Sequence, residues 1–135
     1  MVDAARVVES DAVSVMFLRT EDNVEDIRRG WARLEQIVPL RARKFYGAFH
    51  ADSRGYWVCT QLQEGDDPSA LGLEQGALPG GRYALARLRG EPPAVYDRIG
   101  PTFDALAAAY SVDPGRPSIE FYRSRDQVDL LLPIR

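Results

Sequence analysis

The chain has 135 residues, 45% of them hydrophobic and 27% charged, with a formal net charge of −3. That suffices for one domain with its own core, and the absence of a basic field disfavours direct nucleic-acid binding. One cysteine, Cys59, excludes an internal disulfide, and one histidine, His50, leaves no Cys/His cluster for a metal. No cofactor is expected.

The N-terminal Met1-Val2-Asp3-Ala4-Ala5-Arg6 lacks the apolar centre of a signal peptide, and no window approaches a membrane span, so a cytoplasmic protein is expected. From Arg6 to Arg19 the chain is β-branched and apolar, interrupted at Glu9-Ser10-Asp11. It reads as one bent strand or two short ones. Glu21-Asp22-Asn23 then offers a cap for a helix whose apolar stripe is Val24, Ile27, Trp31, Leu34 and Val38, ended by Pro39. Trp31, on that stripe, reads as a core residue. Lys44 to His50 and Tyr56 to Gln63 form two strands of a hairpin. In the second, Tyr56, Val58, Thr60 and Leu62 share one face, with Trp57, Cys59 and Gln61 on the other.

Residues 64–81, rich in Gly and Pro, read as a connector that packs across the body. Arg82 to Gly90 is a further strand. Pro92-Pro93 opens a second helix with the stripe Val95, Ile99, Phe103, Leu106 and Tyr110, kinked or split at Gly100-Pro101. A strand at Pro117–Arg123 and a last one at Val128–Ile134 complete the chain.

Around the Pro117–Arg123 strand the rest is organised. Alternation puts Ile119 and Phe121 on one face, ready to pack under helices, and Ser118, Glu120 and Tyr122 on the other. A strand glutamate is ordinarily a solvated outward residue; beside a phenol it is also a natural wall for a pocket. Strand–helix–strand–strand occurs twice. A shift of 72 carries Ile27, Trp31 and Leu34 onto Ile99, Phe103 and Leu106, and a shift of 76 carries Phe45-Tyr46 onto Phe121-Tyr122 and Lys44 onto Glu120. The units span about 6–63 and 82–135. Two such units sharing a sheet would bury both helical stripes on one face and leave a groove on the other, with Glu120 on the groove side.

Three short motifs, Pro79-Gly80-Gly81-Arg82-Tyr83-Ala84, Leu88-Arg89-Gly90 and Ile119-Glu120-Phe121-Tyr122 followed by Leu130-Leu131-Leu132-Pro133-Ile134, resemble the GyrI-like (gyrase-inhibitory-protein-like) small-molecule-binding domain. That module also serves as the effector-binding domain of MerR-type and AraC-type regulators. The likeness runs from about Arg6 to Arg135. It implies an α+β fold of two pseudo-twofold-related βαββ units, with an antiparallel sheet, two helices on one face and a ligand groove on the other. It further implies that Glu120, amid aromatic residues, attracts a ligand's positive charge.

Tyr122 is the next candidate for ligand binding, with Trp57, Tyr46 and Tyr83 as wall residues. The chain has no helix-turn-helix, so a stand-alone effector-binding or multidrug-sequestering domain is expected, its partner a hydrophobic or cationic small molecule rather than nucleic acid or membrane. Leu130-Leu131-Leu132 stands where the family often offers an aromatic residue, which points to a more aliphatic ligand. Alternatives are a hydrolase of strained cyclopropanoid molecules, with Glu120 as acid–base group and Asp129 as the candidate second acid, and a gyrase-inhibitor-like regulator that binds a protein. A homodimer is left open. So is a duplicated ferredoxin-like sandwich of the dimeric-barrel type, in which Glu120 would be an outward surface residue.

Overall fold

The computed structural model describes residues 5–52 and 55–135. In chain order the elements are β1 (Arg6–Ser10), β2 (Val13–Glu21), α1 (Val24–Ile37), β3 (Phe45–His50), β4 (Gly55–Gln61), α2 (Pro68–Leu71), β5 (Glu74–Leu78) and β6 (Gly81–Arg89). A 3-10 turn (Ala94–Arg98) leads into α3 (Ile99–Ala109), followed by β7 (Ser118–Ser124) and β8 (Gln127–Pro133). Asn23 caps α1 by accepting a hydrogen bond from the Asp26 amide at 2.9 Å. Pro101 falls in the first turn of α3, where its missing N–H forfeits no helical hydrogen bond.

The strands form one antiparallel sheet in the order β1-β6-β8-β7-β3-β4-β2-β5. The two units, β2-α1-β3-β4 and β6-α3-β7-β8, meet where β3 pairs with β7. Inward from either edge the halves read β1-β6-β8-β7 and β5-β2-β4-β3, so β1, which precedes the first unit, flanks the second, and β5, which precedes the second, flanks the first. The Arg6–Arg19 stretch is therefore two strands with different partners. The connector contains α2 and an edge strand, β5. Its Glu74-Gln75-Gly76 has weak β preference, and pairing with β2 makes it a strand.

One face of the sheet carries the helices. Met16, Tyr56 and Val58 pack with Leu34 and Val38 of the α1 segment, and Ala84, Ala86 and Leu132 pack with Leu106 of α3. Gly30 lets α1 lie close: a Cβ there would come within 2.6 Å of the Thr20 methyl. The opposite face curls over a cluster of its own, built from Val15, Phe17, Tyr46, Cys59, Leu78, Tyr83 and Ile119. Ile119 and Phe121, expected under the helices, line this curled face. Glu120, expected away from the helices, shares the helix-bearing face. Stacked aromatic rings fill the curl, so the sheet holds a core on that side without a helix.

The same geometry corrects the internal alignment. Phe45 pairs with Tyr122 and Tyr46 with Phe121, so the two Phe-Tyr dipeptides stand one residue out of phase. The residue facing Glu120 across the strands is Gly47. No helix among the described residues is long and apolar enough to cross a membrane. Among them, too, no group of three His, Cys, Asp or Glu side chains is placed to hold a metal ion.

On the curled face, Asp129 is buried and receives hydrogen bonds from Arg87 at 2.8 and 3.2 Å and from Arg123 at 2.7 Å. Burial by itself would raise its carboxyl, but the two guanidinium groups outweigh burial and hold it below the ordinary aspartate value. A lowered carboxyl stabilises the fold above its unfolded-state titration range and loses that contribution as the pH falls through the folded one. Asp129→Asn should therefore cost about 2 kcal/mol at neutral pH. Urea unfolding should show the difference from wild type shrinking as the pH drops below the ordinary aspartate range.

Candidate functional site

Glu120 lies at the centre of the sheet, on β7, with Gly47 of β3 opposite it and Leu130 of β8 on its other side. Because Gly47 has no side chain, Tyr56 reaches over it from β4 and donates its hydroxyl to Glu120 Oε1 at 2.6 Å. Tyr122, two residues along the same face, donates to the same oxygen at 2.5 Å. A Cβ on Gly47 would stand 1.7 Å from the Tyr56 hydroxyl and 2.8 Å from Oε1. The glycine is thus a condition of the arrangement, as strand glycines are where another group must approach the backbone closely.

Both phenols converge on Oε1. Oε2 receives no hydrogen bond from any described residue and is not among the sealed polar atoms that lack a partner. Nor does any basic side chain among the described residues form an ion pair with Glu120. Burial pushes the carboxyl above the ordinary glutamate value, the bonds from Tyr122 and Tyr56 pull it back, and the like charge of Asp22, in the turn before α1, pushes it up again. Burial and the charge of Glu120 hold both tyrosines well above the ordinary phenol value, so at neutral pH they remain donors.

Aromatic rings complete the surroundings. Trp31 of α1 meets the Tyr122 ring edge-on, with centroids 5.3 Å apart at 78°, and Tyr96 of the 3-10 turn meets it from another side at 6.0 Å and 77°. Trp31 also contacts Phe45 at 6.2 Å. Tyr122 thus stands between α1 and the 3-10 turn, and Tyr96 is 43% exposed. Trp31 is at once a core residue and a wall of this site.

Of the five residues singled out in the sequence, the structure brings Glu120 and Tyr122 together. The other three stand on the curled face. Tyr46 stacks on Phe121 at 4.7 Å, and Trp57 stacks on Phe17 at 3.8 Å. Tyr83 is fully buried, donates its hydroxyl to the Pro79 carbonyl and carries the Arg116 guanidinium over its ring at 4.7 Å. Asp129, weighed as a second acid for Glu120, pairs with Phe121 and so faces the other way. Tyr56, Tyr96 and Gly47 were not singled out. The signal for Gly47 was a glycine inside an otherwise bulky strand. For Tyr56 there was only a choice between adjacent aromatic residues, Tyr56 and Trp57, that alternation separates without ranking.

Gly47→Ala should destabilise the protein by about 2 kcal/mol through overpacking. Glycine-to-alanine changes in strands otherwise tend to stabilise, so the sign itself is diagnostic. Denaturant unfolding checks it, with Tyr56→Phe, which removes one hydrogen bond without a clash, costing about 1 kcal/mol.

No family model matches the sequence, and neither does any curated protein. Solved structures do. An integron cassette protein from the mobile metagenome of Vibrio cholerae superposes with a TM-score of 0.77 at 18% identity, covering 99% of this chain and 97% of its own. SAV2435 bound to tetraphenylphosphonium superposes with a TM-score of 0.69 at 11% identity, covering 98% and 94%. The C-terminal domain of EcmrR does so with a TM-score of 0.66 at 8% identity, covering 98% and 97%. At these identities the likeness is one of fold, and it agrees with the α+β architecture expected from the sequence resemblance to GyrI-like domains.

Proposed function

We propose that this chain is a small-molecule-binding domain in which Glu120 anchors a hydrophobic cation between α1 and the 3-10 turn. The observation that carries the reading is a partly buried carboxylate without a basic partner among the described residues, set among aromatic rings. A carboxylate in such surroundings is costly to ionise unless something supplies positive charge, and a large cation of diffuse charge is cheap to desolvate and gains from ring faces. The structural relative bound to tetraphenylphosphonium supports a ligand of this kind.

Binding and protonation are then linked. The raised carboxyl of the free protein holds its proton to higher pH than an unfolded glutamate does; a bound cation stabilises the ionised form and draws the titration down. Affinity therefore rises with pH through the titration of Glu120 and then levels. The groups facing that carboxyl are Tyr56, Tyr122 and Asp22, and both phenols stay protonated through the change. A hydrolytic reading would need a second acid–base group beside Glu120, and Asp129, the candidate for it, faces the other side of the sheet.

Thermal-shift titration with tetraphenylphosphonium tests the proposal. At one hundred times the dissociation constant the ligand adds about 2.7 kcal/mol to wild-type stability. Glu120→Gln should lose that stabilisation, and the pH dependence with it; equal stabilisation of both proteins would contradict the role given to Glu120. Without ligand the sign is reversed. A raised folded-state carboxyl contributes stability that is fully present below the unfolded-state range and lost as the pH rises through the folded one. Relative to wild type, unliganded Glu120→Gln should accordingly gain stability as the pH rises to neutrality.

A further inference from the structure

Resting on that reading, we infer that the preferred ligand is a cation bearing at least one N–H, a secondary or tertiary ammonium with apolar substituents, rather than a quaternary cation. The division of labour between the two carboxylate oxygens leads to this. Oε1 accepts from Tyr56 at 2.6 Å and from Tyr122 at 2.5 Å, which fills its acceptor capacity with short bonds from two fixed rings. Oε2 keeps its lone pairs, accepts from no described residue and is not sealed from solvent. The site is therefore not a diffuse negative patch. It offers one oriented acceptor, held in place from behind by the bonds to the other oxygen.

A cation seated on Oε2 removes water from that oxygen. An ammonium with an N–H replaces the water by a charge-assisted hydrogen bond, the stronger kind. A quaternary cation presents only methyl or aryl carbons, so it keeps the Coulombic attraction but leaves the acceptor buried and unmatched. The remaining surroundings suit carbon rather than further donors: Trp31 and Tyr96 each meet the Tyr122 ring nearly edge-on. Alkyl or aryl groups of a substituted ammonium have faces to lie on, and the single N–H of a tertiary one has one acceptor to meet.

The test is a pair of ligands that differ by one methyl group. Diphenylmethyl-dimethylamine, protonated at neutral pH, and its N-methylated quaternary salt are titrated calorimetrically into wild type and Glu120→Gln, with tetraphenylphosphonium as a third probe. The protonated amine should bind wild type about tenfold more tightly than the quaternary salt, the difference that one charge-assisted hydrogen bond supplies. That preference should vanish in Glu120→Gln. Equal affinities, or tighter binding of the quaternary salt, while tetraphenylphosphonium still binds through Glu120, would overturn the inference and leave the cation-binding reading standing. Failure of all three cations to bind wild type would remove that reading and the inference with it.

Discussion

The site depends on a single oxygen atom, Glu120 Oε1, and on the absence of one carbon, the Cβ of Gly47. Two phenols from different strands can meet at that oxygen only because Tyr56 crosses the bare backbone of β3. The consequence is electrostatic as much as steric. A carboxylate gripped on one side by neutral donors is oriented without being neutralised, and its other oxygen accepts no hydrogen bond from the described residues. Had an arginine taken the place of either tyrosine, as Arg87 and Arg123 do for Asp129, the charge would have been satisfied within the fold. Two acids show the contrast within one sheet: buried Asp129 is paired with two arginines, and partly buried Glu120 has no basic partner among the described residues.

The curled sheet explains where that site can be. On one side, Phe17 on Trp57 and Tyr46 on Phe121 fill the curl, so this face closes on itself. On the other, α1 and α3 each cover one half of the sheet, and the junction of the halves, where β3 meets β7, is where Glu120 emerges. Trp31 of α1 and Tyr96 of the 3-10 turn converge there on Tyr122. At that junction the sheet offers a bare glycine on β3 and a carboxylate on β7, Gly47 opposite Glu120.

Much of the fold could be read from the chain. The stripes of α1 and α3 follow the helical period, Asn23 and Pro39 bound the first helix, and the strands from β6 onward keep their alternation. Glu120 and Tyr122 could be grouped because they are two residues apart on one strand, a relation that alternation alone fixes. Sidedness could not. Nothing in Ile119-Glu120-Phe121-Tyr122 says which face meets helices, because both faces of a curled sheet are buried against something. For the same reason Tyr46, Trp57 and Tyr83, aromatic residues in strands, were as plausible for a pocket as Tyr56. Long-range register decided between them, and register depends on pairings such as Gly47 with Glu120 that join residues far apart in sequence. The edge strand β5 escaped notice because its pairing with β2, rather than its own residues, makes it a strand.

The central claim is that Glu120 is an unpaired carboxylate whose ionisation is coupled to a bound cation. Carbon-13 NMR of carboxyl-labelled glutamate, with the Glu120 resonance assigned by its absence from Glu120→Gln, reads this directly. The account predicts a titration midpoint above the ordinary glutamate range in the free protein, moving to lower pH when tetraphenylphosphonium is bound. A midpoint in the ordinary range that the cation leaves unmoved would contradict it.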